Sequence, residues 1–102
     1  MVTERRVLRT TSLAYTFHLA GEPALDYETQ RTSIERWASI SRTRIVEWFE
    51  DKDEARDRLH ALLGAIDEID YVLVHSVGQL LDARKFQQQC EARGARVVYT
   101  SR

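Results

Sequence analysis

The side chains best equipped for chemistry are few. His18 and His75 are expected at the ends of two strands, with Ser76 next to His75. A histidine beside a serine could be a base and a nucleophile, and two histidines could begin a metal site. The spacing argues against both. Adjacent strand residues face opposite ways, so His75 cannot serve Ser76 as a base without a bend in the chain. No Cys, Asp or Glu falls near the histidines at a metal-ligand spacing. The favoured reading is two strand-end histidines with ordinary hydrogen bonds, and no metal or cofactor is expected. Arg56 sits among Asp51, Asp53, Glu54 and Asp57, a poor setting for a phosphate. Cys90 follows Phe86 by four residues and reads as a small core residue, since no flanking cation or helix N-terminus would activate it. The four glycines, at 21, 64, 78 and 94, form no phosphate-binding loop.

The stretch "VLVHSVGQLLDAR" (72–84) raises the sharper question. It reads as a buried strand running through a loop into a helix, and in an α/β domain such strand ends carry chemistry. Here that place offers Gly78, Gln79, two leucines and Asp82.

The elements that would position these residues are legible. "SLAYTFHL" (12–19) is rich in β-formers, and "AGEPA" then breaks the chain. From Asp26, a plausible N-cap, Tyr27, Ile34, Trp37, Ala38 and Ser41 fall on one helical face. "RIVEWFE" (44–50) is a second strand, and the acidic stretch Asp51 to Asp57 is read as the start of a second helix. Ala55, Leu59, Leu62, Leu63 and Ile66 form its apolar stripe. "YVLVHS" (71–76) is an unbroken apolar run, as in strands covered on both faces. "LDARKFQQQCEAR" is a third helix closed by Gly94, and "ARVVYT" (95–100) a last strand. Strict β-α alternation predicts a three-layer α/β domain. Its sheet has four mostly parallel strands in the order 2-1-3-4, with three main helices. The crevice should lie where strands 1 and 3 end side by side. Residues 1–11 are expected to be a loose arm and 12–102 the domain.

Composition narrows the function classes. Fifteen basic and 16 acidic residues nearly cancel, so avid DNA contact would need a segregated basic face. Thirteen of the cations are arginine, which a GC-rich genome explains as well as phosphate binding does. No run approaches a membrane span, no apolar signal region follows the N-terminal arginines, and the lone cysteine suits a reducing, cytoplasmic setting. Trp37 and Trp48 are expected as core anchors and the "QQQ" triplet as exposed.

Four segments, in order, resemble the serine recombinases of the resolvase/invertase type. "LDYETQRTSIERWAS" is similar to their "SLExQRxxIxxxA" helix and "ARDRLHALLGAI" to "RPxLxxLL". "DYVLVHSVGQLLDA" stands where that family has "DxVLVxKLDRLSRS", and "FQQQCEARGARVVYTS" resembles "LLxxLxxxGVxLxSLTE". The resemblance implies the flavodoxin- or resolvase-like fold, and it implies a loss. The family cuts DNA with a serine in "YxRxS" after strand 1, where this chain reads "YTFHL". Tyr15 matches, Phe17 stands at the arginine and Leu19 at the serine. No Ser or Thr occurs between Thr16 and Thr29. In place of the family's "LDRLSR", Gly78 replaces an Asp, and Gln79 and Asp82 replace arginines. Gln30 and Arg56 match. Phosphoryl transfer relies on cations around developing negative charge, so the resemblance implies a pseudoenzyme. In the family a long dimerisation helix and a DNA-binding domain follow the last strand, and the resemblance, which ends near residue 101, is expected not to extend to them.

The leading expectation is therefore an inactive resolvase-like domain acting as a protein-interaction or regulatory module. It would use self-association or a protein partner, with DNA binding weak or absent and no membrane. Its crevice, relined with Phe17, Leu19, Val77, Gln79 and Leu80, would be an apolar docking surface. The alternative is a DNA-associated accessory factor of recombination. A third reading is an unrelated ligand-binding or enzymatic use of a crevice holding Tyr15, His18, Gln30, Arg56, His75 and Ser76.

Overall fold

A computed structural model describes residues 10–18, 27–53 and 55–101. The elements are β1 (Thr10–His18), α1 (Tyr27–Ser41), β2 (Thr43–Lys52), α2 (Asp57–Gly64), β3 (Tyr71–Val74), a short 3-10 turn (Val77–Gln79), α3 (Ala83–Ala92) and β4 (Arg96–Tyr99). One sheet runs in the order β2-β1-β3-β4, and every pairing in it is parallel, as expected. β1 and β3, both central, are buried along almost their whole length, which is why they read as apolar runs.

Two cores flank the sheet. Leu13, Tyr15 and Phe17 of β1 and Val72 and Val74 of β3 face α2 and α3, where Leu59, Leu62, Phe86 and Cys90 meet them. Ala14 and Leu73 point the other way, against Ile34 and Ala38 of α1. Alternate strand residues thus serve opposite layers. A fully buried leucine or isoleucine such as Leu62 or Ile34 contributes about 1.5–3 kcal/mol by leaving water.

Several boundaries differ from the sequence reading. β1 begins at Thr10, two residues early, because Thr10 and Thr11 pair with Thr43 and Arg44 of β2, and Asp70 holds the other side. The Thr11 amide donates to the Asp70 carboxylate at 2.9 Å, and the Asp70 amide donates to the Thr11 carbonyl at 2.9 Å. Residues 1–9 of the expected arm lie outside the described residues, as do Leu19, the Gly21–Ala24 break, the Asp26 cap and Glu54. β2 runs on through Asp51 and Lys52, so α2 starts only at Asp57. Ala55 is exposed ahead of that helix, and Ile66 packs beyond its end. Ser41 is exposed rather than on the buried face of α1. α3 is shorter than expected at its start, because Asp82 caps it: the Lys85 amide donates to Asp82 Oδ1 at 3.2 Å. At the other end Gly94, at φ 90°, closes the helix, with the Ala95 amide donating to the Cys90 carbonyl at 3.0 Å. Trp37 and Trp48 are half-buried at the rim of the α1 layer rather than inside it. Gln87 of the triplet is half-buried and accepts from the Tyr99 hydroxyl at 2.8 Å.

Cys90 has no exposed surface, and burial, with the Glu91 charge adding to it, pushes its thiol up to about 12. Stability held by keeping this thiol neutral is fully present below its ordinary value of 9.0 and is lost as pH rises toward 12. Urea unfolding across that window should show a falling midpoint, and Cys90→Ala should flatten the fall.

Candidate functional site

The carboxyl ends of β1 and β3 form the switch point of the sheet, since the chain leaves β1 for one neighbour and β3 for the other. β3 stops pairing with β1 at Tyr15–Val74, two residues short of Phe17. Gln30 fills the gap. Its Nε2 donates to the Phe17 carbonyl at 2.6 Å, and its Oε1 accepts from the Phe17 amide at 2.9 Å. The side-chain amide thus takes the place of the missing strand, and it is fully buried.

On the α2 side of β1 four side chains interlock. The Tyr15 hydroxyl donates to Asp51 Oδ2 at 2.9 Å. Asp51 also accepts from the Arg58 amide and the Leu59 amide, both at 3.0 Å. These are first-turn amides of α2, so an acid at the end of a strand caps a helix that has no side-chain cap of its own. Arg56 Nη1 donates to the Gln79 carbonyl at 2.7 Å and reaches the Tyr15 hydroxyl at 3.5 Å. Its guanidinium lies 3.8 Å from the centre of the Phe17 ring, an attractive cation–π arrangement. Among the described residues Arg56 forms no ion pair, because Asp51 is turned to Tyr15 and α2.

Burial, then the hydrogen bond to Asp51, pushes the Tyr15 phenol far above its ordinary value. It therefore stays protonated near neutrality and is no nucleophile there. Gln79 is buried and turned back: its Oε1 accepts from the Ser76 amide at 2.8 Å and the Ser76 hydroxyl at 2.7 Å. The Ser76 proton is committed to an amide oxygen rather than to a base. The arrangement can hold one cation and one neutral phenol in fixed positions.

Thirteen solved chains match this structure. A resolvase family site-specific recombinase from Streptococcus pneumoniae aligns with a TM-score of 0.78 at 17% identity, over 90% of this chain and 72% of that one. In fold, the chain is a resolvase-like domain. The N-terminal catalytic domain of TP901-1 integrase aligns with a TM-score of 0.74 at 14% identity, over 88% of this chain and 76% of that one. The C-terminal catalytic domain of ISC1926 TnpA, an IS607-like serine recombinase, aligns with a TM-score of 0.72 at 15% identity, over 88% and 67%. No protein-family model and no curated protein matches the sequence.

Within this resolvase-like domain the singled-out residues divide into three groups. Tyr15, Phe17, Arg56 and Gln79 come together, and Gln30 holds the backbone of Phe17. His18 and His75 stand apart from them. His18 ends β1 with its ring 5.5 Å from that of Tyr27, and His75 lies one residue past β3 on the α1 side of the sheet. Burial lowers His75 from its ordinary value. Gly78 and Asp82 are exposed, and neither touches Arg56 in any hydrogen bond or ion pair. A Cβ built on Gly78 would meet only Ser76 Oγ, at 3.9 Å. Nothing there demands glycine, so Gly78→Ala should raise stability by up to about 1 kcal/mol in urea unfolding. Among the described residues no three His, Cys, Asp or Glu side chains cluster as a metal site would require. No described helix is long and apolar enough to cross a membrane.

Among its described residues the crevice is less open than the sequence suggests. Phe17, Gln79 and Leu80 are buried, Phe17 under Arg56 and Gln79 against Ser76. Among the described residues there, Val77 is open at 56% exposure, with Leu81 beyond it at 67%. Asp51 is the member of the site that the sequence hides. It sits in a run of acids and differs from them only in place, at the end of a strand two residues beyond Phe49.

Proposed function

We propose that this resolvase-like domain is catalytically silent and acts by binding, as an interaction or regulatory module that associates with itself or with a protein partner. The observation that carries the reading is the Phe17 ring packed under Arg56. By the motif resemblance Phe17 stands where the recombinases place an arginine, so an apolar ring fills a position that would otherwise bring positive charge to a phosphate. Phosphoryl transfer is driven mainly by such charges. The remaining cation is held by the Gln79 carbonyl and the Tyr15 hydroxyl. Gln79 and Asp82, at two further arginine positions, serve a turn and a helix cap instead. These roles are structural, which is consistent with a framework kept for its shape.

The test is a mobility-shift series with duplex DNA at low and moderate salt, run beside sedimentation of the chain at rising concentration. The reading expects no shift at low salt. A shift that falls steeply with salt would replace it with the DNA-associated accessory factor, because such dependence reports phosphate contacts.

A further inference from the structure

We propose that the groove between α1 and the carboxyl ends of β3 and β4 is a binding site for a small organic anion, a carboxylate carried on an apolar body. The groove lies on the face of the sheet opposite Tyr15 and Arg56. Ser33, Arg36, Trp37, Ile40, His75 and Thr100 line it, around a volume of about 560 Å³, which lies within the ~300–1,000 Å³ typical of ligand pockets.

Its two ends differ in chemistry. At the polar end the Ser33 and Thr100 hydroxyls lie 2.6 Å apart and tie α1 to the end of β4. His75 Nδ1 is buried without a hydrogen-bond partner among the described residues. That nitrogen faces the interior, a state it shares with Thr10 Oγ1, Thr16 Oγ1 and His18 Nδ1, so the groove meets the rest of the ring. The Ser101 amide donates to the His75 carbonyl at 2.8 Å, which fixes the backbone that carries the ring. Burial lowers His75, so the ring is neutral near pH 7 and adds no second charge beside Arg36. Arg36 forms no ion pair or side-chain hydrogen bond among the described residues, and its guanidinium suits bidentate contact with a carboxylate.

At the apolar end are Trp37, half-buried and edge-on to Tyr71 at 5.5 Å, and Ile40, 76% exposed. An exposed isoleucine next to a tryptophan gives the ligand's apolar body surface to cover. Of the two acids on α1, Glu28 lies eight residues before Arg36, about 12 Å along the helix, and Glu35, next to Arg36 in sequence, lies 4.0 Å from the Arg31 guanidinium.

The experiment is an NMR titration of the isotope-labelled full chain with benzoate, acetate and inorganic phosphate. Benzoate should give saturable shifts confined to His75, Arg36, Trp37 and their neighbours, at low-millimolar affinity or tighter. Acetate and phosphate should bind at least about tenfold more weakly, since neither offers an apolar body. Arg36→Gln, at an exposed position, should weaken benzoate about tenfold with an unchanged circular dichroism spectrum. Ile40→Ser should weaken benzoate and leave acetate as it was. Absence of a saturable benzoate response, phosphate or acetate binding as tightly as benzoate, or full affinity in Arg36→Gln would each overturn the proposal.

Discussion

Replacing Gln30 by leucine should destabilise the domain by about 3–5 kcal/mol, since two buried backbone groups each lose a partner at roughly 1–3 kcal/mol. The groups are the amide and carbonyl of Phe17, which Gln30 serves on the side where β3 has ended. Leucine is close in volume and helix-compatible, so the loss isolates hydrogen bonding from packing. Gln30→Glu should be nearly as harmful, because an ionised carboxylate cannot donate to the Phe17 carbonyl and would face its oxygen instead. Urea unfolding measures both, with an unchanged slope showing that the loss lies in the native state. A change below ~1 kcal/mol in Gln30→Leu would mean that the strand end is held by other contacts.

Asp51→Ala should cost about 3 kcal/mol or more. It removes the acceptor for a buried phenol and the cap for two amides of α2. Asp51→Asn keeps acceptor oxygen and should lose about half as much. Hydrogen exchange separates the parts: the Arg58 and Leu59 amides should exchange faster in Asp51→Ala, while amides in β3 keep their protection relative to global stability. If those two amides are unaffected, the cap is not what Asp51 supplies.

Both residues show where the sequence was legible and where it was not. Periodicity exposed β1, β3 and the layers, because an apolar run in a central strand and an amphipathic helix are local patterns. Alternating strands and helices give a parallel sheet with right-handed crossovers, while the order 2-1-3-4 comes with the flavodoxin- or resolvase-like fold that the motifs imply. Gln30 was visible only through the motif it matched; nothing local says that a glutamine will stand in for a strand. Local sequence puts Asp51 in a helix, because an acid near a helix start usually lies in its own first turn. Here it reaches the same amides from β2, a contact set by tertiary structure. By residue type Phe17, Gln79 and Leu80 suggest an open crevice, whereas Arg56 covers the Phe17 ring and Ser76 holds the Gln79 side chain. Asp82 looked like a lost arginine, and it is also a good N-cap, which local sequence could have shown.

For a domain that we propose to be catalytically silent, covalent chemistry on DNA is the decisive readout. Incubation of the full chain with supercoiled plasmid, followed by denaturing electrophoresis, should yield neither nicked circles nor protein-linked DNA, even at protein excess and long times. A protein–DNA adduct that survives denaturant, or nicking that rises with protein concentration, would contradict the account.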